Sequence, residues 1–194
     1  MFQNLDGYVK LTVIIDNYVL GSGLKAEHGW SILIEEGRER ILFDCGQTSQ
    51  VIENAKALNI NLDSIDKIIL SHGHYDHTGG LLDILKAINK SINVYAHPDI
   101  FEEKYISENN NLKKRYIGIP KQKSIFEENG AKFILNKEPI RLNHHIYLTG
   151  QIPRVTSFEK VEKDFLKKIN SEFVHDEIYD DNSIVIDTPK GLIL

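Results

Sequence analysis

Ser71-His72-Gly73-His74-Tyr75-Asp76-His77-Thr78-Gly79-Gly80 decides how this chain is read. Three imidazoles and a carboxylate fall between His72 and His77. Imidazole nitrogen and carboxylate oxygen are donors that borderline divalent metals accept. His72 and His74, two residues apart, can project the same way where a strand runs out, and Gly73 lets the backbone turn tightly between them. Asp76 and His77 stand just before a helix, whose N-terminus favours a carboxylate. The run therefore offers two ligand pairs, and two ions roughly 3.5–4 Å apart can share a bridging hydroxide, a strong nucleophile at neutral pH. The competing reading is a polar surface turn with incidental histidines. Residue type, spacing and strand-to-helix context together speak against it. His97, standing alone, reads as an ordinary histidine.

Working outward, Asp66–Ser71 reads as a buried strand that feeds the loop, and Leu81, Leu82, Leu85 and Ile88 mark an amphipathic helix after it. Ile92–Ala96 is the next strand. Upstream, Lys10–Ile15, Trp30–Glu35 and Arg40–Asp44 read as strands, the last two joined as a hairpin across Glu36-Gly37-Arg38. Ser49–Leu58 has helical spacing, with Val51, Ile52, Ala55 and Leu58 on one face. From about Ile100 to Gly130 the chain is polar and lysine-rich, and the expectation is short helices and a loop lining one side of the site. Ala131–Leu135 and Ile146–Thr149 read as strands, and Ser183–Asp187 with Leu192–Leu194 as a hairpin. Alternating strands and helices, with no repeat or linker, indicate one layered α/β domain over residues 1–194. A return strand opens at Gly191 and the sequence stops three apolar residues later. Most termini are polar and frayed, so the expectation is a domain incomplete at its C-terminus, against the alternative of a short edge strand.

Composition narrows the field. With 194 residues, 41% hydrophobic and 26% charged, the chain can bury an ordinary globular core. A net charge of −5 gives no basic footprint, so no nucleic-acid partner is expected. The single cysteine, Cys45, excludes an intrachain disulfide framework and suits a reducing cytoplasm, the expected location. The first residues do not form a basic start followed by an apolar core. The apolar stretch Leu11–Leu20 is too short to span a bilayer and is broken by Asp16 and Asn17, so no membrane partner is expected either.

At the loop the chain resembles the metallo-β-lactamase superfamily, whose most specific motif is similar to Ser71–Gly80; Ile41-Leu-Phe-Asp44-Cys45-Gly46 resembles the strand-end motif that precedes it. Glu27-His28-Gly29-Trp30-Ser31, Arg115–Pro120, Leu148–Arg154 and Asp180–Ile186 resemble a branch of dihydropterin-linked enzymes, often labelled 7,8-dihydropterin-6-methyl-4-(β-D-ribofuranosyl)-aminobenzene-5′-phosphate synthase. The resemblance implies an αββα sandwich of two similar halves, here with the first half complete and the second partial. It implies two divalent metal ions, zinc first, with manganese or iron accepted by the same donors. His72 and His74 match ligands of the first ion, and Asp76 and His77 those of the second. Asp76 would also orient or deprotonate the attacking water. Asp44 matches an aspartate that supports the ligands from behind, with a strand-end cap as its alternative. His28 lies on a loop that should flank the site, or is simply exposed. Arg154 could hold a substrate phosphate or carboxylate, or pair with an acid such as Asp180. Asp180 and Asp181 could simply solvate a turn.

The same resemblance places a third histidine, a bridging aspartate and a last histidine in the second half, the third histidine beyond a strand like Gly191–Leu194. The later histidines here, His144, His145 and His175, lack matching surroundings. A catalytic zinc normally has three protein ligands, so partial metal occupancy is expected. The implied function is a metal-dependent hydrolase in which a metal-bound hydroxide attacks a small, pterin-like or phosphorylated substrate. The alternative is a truncated, non-catalytic chain, active only if a homodimer partner or a complementing second half supplies the missing ligands.

Overall fold

The computed structural model describes residues 8–108 and 113–194. Its strands are β1 (Val9–Ile15), β2 (Ser31–Glu36), β3 (Glu39–Phe43), β4 (Lys67–Ile69), β5 (Ile92–Ala96), β6 (Lys104–Glu108), β7 (Lys113–Tyr116), β8 (Ala131–Leu135), β9 (Ile140–Arg141), β10 (Ile146–Leu148), β11 (Phe165–Ile169), β12 (Glu172–His175), β13 (Ile184–Thr188) and β14 (Gly191–Ile193). Its helices are α1 (Gln50–Ala57), α2 (Tyr75–Thr78), α3 (Leu81–Ile88) and α4 (Lys123–Glu128).

The six-stranded sheet has the order β1-β2-β3-β4-β5-β8. β1, β2 and β3 pair antiparallel, and β3, β4, β5 and β8 run parallel. Side chains alternate across a strand, and here both faces are buried. Leu33, Leu42, Ile68 and Val94 face Val51, Ala55, Leu81, Ile84, Leu85 and Phe126 of the helices. Their neighbours Ile34, Ile41 and Ile69 face Ile146, Leu148, Ile184 and Ile186 of a second sheet, β14-β13-β10-β9. The paired apolar residues Leu33-Ile34, Ile41-Leu42 and Ile68-Ile69 are thus the signature of a sheet covered on both sides. Helix, sheet and sheet form three layers. Among the described residues no helix follows α4, so they form no fourth layer of the expected sandwich. Among the same residues no helix is long and apolar enough to cross a membrane.

A third sheet, β12-β11-β6-β7, stands beside the carboxyl end of the parallel strands. It corrects the expectation of short helices and a loop between Ile100 and Gly130, where β6 and β7 form an antiparallel pair before the short α4. Lys104, Lys113 and Lys114 make this segment look like a solvated face in the sequence. The sheet is tied to the loop through a bridge between His74 and Gly118 and by the Tyr75 N–H donating to the Ile117 carbonyl at 2.9 Å.

Candidate metal centre

β4 lies between β3 and β5, so its carboxyl end delivers Ser71–His77 to the crevice where open α/β sheets place their ligands. One strand over, β3 is followed directly by Asp44, which adopts a left-handed backbone with φ 58°. That conformation costs on the order of 1 kcal/mol for a residue other than glycine. It turns a fully buried carboxylate under the loop. Asp44 Oδ1 accepts the Ser71 N–H at 2.8 Å, while Oδ2 accepts the Ser71 hydroxyl and the His77 Nδ1–H, each at 2.7 Å. Asp44 is therefore more than a strand-end cap.

These bonds fix the ring tautomers. A carboxylate only accepts, so His77 carries its proton on Nδ1 and a lone pair on Nε2. The Ser71 hydroxyl proton is spent on Asp44, so its oxygen accepts from His72 Nδ1 at 2.9 Å, and the His72 lone pair also lies on Nε2. His72 Nε2 is 3.0 Å from His74 Nδ1, and His77 Nε2 is 3.5 Å from Asp76 Oδ2. Ligands of a tetrahedral zinc, about 2.0–2.2 Å from the ion, are roughly 3.3 Å from one another. In chemistry and in spacing both pairs therefore fit a shared cation. They fit as pairs only: among the described residues no three His, Cys, Asp or Glu form a set that could hold an ion. His74 Nε2 is buried and has no hydrogen-bond partner among the described residues.

The electrostatics follow the same division. Loss of solvent pushes His72 well below the usual imidazole value, helped by His77 and His74. It pushes His74 down to about 4, with the Lys104 charge adding to the effect. Both rings are thus neutral near pH 7, the form a metal requires. At His77 burial again opposes charge, but the bond to Asp44 and the charges of Asp44 and Asp76 outweigh it and raise the ring above its usual value.

The far side of the loop is held by groups that sequence reasoning missed. The Gly73 N–H donates to Asp180 Oδ2 at 2.7 Å. Asp180 Oδ1 is 2.8 Å from Lys104 Nζ, which also reaches Asp176 Oδ2 at 2.9 Å. All three side chains are buried, so Asp180 does not solvate a turn. Gly73 must be glycine here, because a Cβ would lie 2.4 Å from the Ile100 carbonyl oxygen. Arg154 does pair with an acid, but the acid is Asp181, at 3.0 Å, and its Nη1 donates to the carbonyls of Glu177 and Ile178.

At the mouth, Asn17 Oδ1 accepts the Gly29 N–H at 3.0 Å and faces His28 Nδ1 at 3.2 Å. This seats the exposed His28 ring with Nε2 3.3 Å from Asp76 Oδ2. Gly29, at φ +132°, has no room for a side chain, since a Cβ would sit 2.1 Å from the Asp76 carbonyl oxygen. Five sequence-selected residues, His72, His74, Asp76, His77 and Asp44, thus meet in one place with His28 at its rim, and Arg154 is engaged to one side. His97 is buried and accepts the Asp99 N–H, an ordinary helix-start role. His144, His145 and His175 are exposed. Ser71 had a signal, its position just before the motif; a strand lysine such as Lys104 had none.

The sequence pattern described as the metallo-beta-lactamase superfamily matches residues 24–158. The chain belongs to the metallo-beta-lactamase superfamily. It is 37% identical to the 7,8-dihydropterin-6-methyl-4-(beta-D-ribofuranosyl)-aminobenzene-5'-phosphate synthase of Methanocaldococcus jannaschii, a match covering 96% of this chain and 66% of that one. It is 30% identical to ribonuclease Z of Borreliella burgdorferi strain ZS7 over 73% of this chain and 45% of that one. Among solved structures it is similar to Tm1679, a metal-dependent hydrolase of the beta-lactamase superfamily, with TM-score 0.75, 26% identity, and coverage of 95% of this chain and 64% of that one. The chain therefore spans just under two thirds of the length of the synthase and of Tm1679.

Proposed function

We propose that this chain carries the metal-binding loop of a metal-dependent hydrolase that acts on a small, pterin-like or phosphorylated molecule in the cytoplasm. One observation carries the reading: lone-pair atoms of His72 and His77 are turned toward His74 and Asp76 by a single buried hydrogen-bond network rooted in Asp44. His72 with His74, and Asp76 with His77, would hold two divalent ions, zinc before manganese or iron. When bound, such ions lower the pKa of a water and stabilise negative charge developing on a carbonyl or phosphoryl oxygen. The Asp76 carboxylate would also orient the attacking water or take its proton. Asp44 and Ser71 hold the rings in the required tautomer. Phe165, packed edge-on against His74 with centroids 5.0 Å apart, keeps water from that side of the pair. The pterin-like or phosphorylated substrate rests on the name of the M. jannaschii relative.

The lack of a three-donor set among the described residues favours a second reading, in which the chain turns over substrate only with a partner, a second copy or a complementing half, that brings further ligands. Elemental analysis of the purified chain, paired with turnover of generic ester and phosphodiester substrates, separates the two. Two tightly held ions and activity lost in His74→Ala support the hydrolase. Metal well below two per chain without turnover supports the second reading. Activity that persists in His74→Ala overturns the proposed chemistry.

A further inference from the structure

The buried charges behind the loop are not needed for the chemistry just described, yet they touch it at one atom. Lys104 starts β6, while Asp176 and Asp180 follow β12, so the triad joins the third sheet to the segment leading into β13. One ammonium between two carboxylates leaves a net charge of −1 in a site closed to water, a costly arrangement to keep. The two acids have different duties. Asp176 Oδ1 accepts the Ile178 N–H at 2.9 Å and so shapes its own turn. Asp180 uses Oδ1 for Lys104 and Oδ2 for Gly73, the residue between the two paired imidazoles. The Lys104 Cε would also lie 3.1 Å from a Cβ at Gly73, so the lysine stem and the Asp180 oxygen press on the loop backbone from the same side.

We propose that Lys104 and Asp180 are positioning residues for the metal pair: Lys104 fixes the Asp180 carboxylate, Asp180 fixes the Gly73 amide, and the Gly73 backbone sets the distance between His72 Nε2 and His74 Nδ1. The inference rests on the metal-site reading above. It is a statement about geometry, so its test must separate loop placement from buried charge and from stability.

Asp180→Asn and Asp176→Asn provide that separation. Each removes one negative charge from the same buried triad and leaves Lys104 facing one carboxylate. An amide has one acceptor oxygen where the carboxylate has two. Those contacts now sit one on each oxygen, so the Asp180→Asn variant turns a donor toward Lys104 or Gly73 and cannot keep both contacts in place, whereas Asp176→Asn leaves the Lys104–Asp180–Gly73 chain whole. Three readouts are taken on each variant and the wild type: hydrogen exchange at the Gly73 amide without metal, cobalt(II) affinity by competition titration, and the cobalt ligand-field spectrum. Asp180→Asn is expected to speed Gly73 exchange at least tenfold, weaken cobalt binding at least tenfold and shift the spectrum. Asp176→Asn is expected to change affinity less than threefold and leave the spectrum in place, whatever it does to the unfolding midpoint. Equal affinities in Asp180→Asn and wild type overturn this inference while leaving the metal site standing. Losses that match in the two variants overturn it as well, since charge alone then explains them. A wild-type chain that takes up no cobalt overturns the metal-site reading and this inference with it.

Discussion

The metal loop has two walls, built in opposite ways. On one side Asp44 holds Ser71 and His77 across separations of 27 and 33 residues, from the strand next to the loop's own. On the other side Asp180 holds Gly73 across 107 residues, and Lys104 holds Asp180 across 76. The near wall grips side chains and decides where ring protons lie. The far wall grips a backbone amide and decides where the rings stand. A site that needs both tautomer and distance needs both walls, and only the near one can form before the later strands have folded onto the sheet.

The largest effect should come from removing the one positive charge of the far wall. Lys104→Met keeps the stem's volume but leaves two buried carboxylates facing each other. Breaking a buried ion pair this way costs about 3–5 kcal/mol, read as a loss of unfolding free energy in urea. A loss below about 1 kcal/mol would show that water reaches the triad and that the far wall is soft.

On the near wall the expected loss appears in metal binding rather than in folding. Asp44→Asn sets an amide N–H either against the Ser71 backbone N–H, which cannot turn away, or against both the Ser71 hydroxyl and the His77 Nδ1–H, which can. The relief open to His77 is to move its proton to Nε2, the atom that faces Asp76. Partners of this kind change metal affinity by about 10–100-fold, so competition titration should find a drop in that range. Unchanged affinity would mean that Asp44 is only a strand-end cap.

A change of pH should act on the far wall alone at its alkaline end. Burial lowers the Lys104 pKa, but Asp180 and Asp176 outweigh it and raise the group above its usual 10.5. A raised folded value gives a stabilising term that is complete below the unfolded pKa and lost as pH climbs through the folded one. The stability difference between wild type and Lys104→Met should therefore not begin to shrink below about pH 10.5, and should shrink above it. A difference that shrinks from neutral pH upward would contradict the raised value.

The two walls also differ in how they read from sequence. The six-stranded sheet is legible because its strands carry β-rich apolar runs and its helices a 3.6-residue repeat. The loop is legible because four donors crowd into six residues. Asp44 can be singled out because it ends the strand just before Cys45-Gly46, close in sequence to the site it serves. The third sheet is not legible: Lys113–Tyr116 and Phe165–Ile169 carry charges in both alternating sets, and Lys104–Glu108 and Glu172–His175 begin and end on polar or charged residues, as a solvated ribbon would. Lys104 is buried only because two acids from more than 70 residues away meet it, and no local pattern encodes that. Asp180 and Asp181 show the limit most closely. Adjacent and identical, they part company in the fold, one into the triad and the other to Arg154 at the rim.

That rim pair provides the smallest expected effect and the control for the rest. Arg154 and Asp181 retain 23% and 35% of their side-chain exposure, so their attraction is screened and part of it is spent holding two side chains still. A double-mutant cycle on Arg154→Ala and Asp181→Asn should give a coupling of about 0.2–1 kcal/mol. The matching cycle on Lys104→Met and Asp180→Asn should give several times more, because Lys104→Met strands two carboxylates away from water and adding Asp180→Asn removes one of them. Arg154 nonetheless donates to the Glu177 and Ile178 carbonyls, in the same turn that carries Asp176 and Asp180. If the rim coupling proved as large as the buried one, Arg154 would be bracing that turn, and the far wall would extend from Lys104 out to the surface.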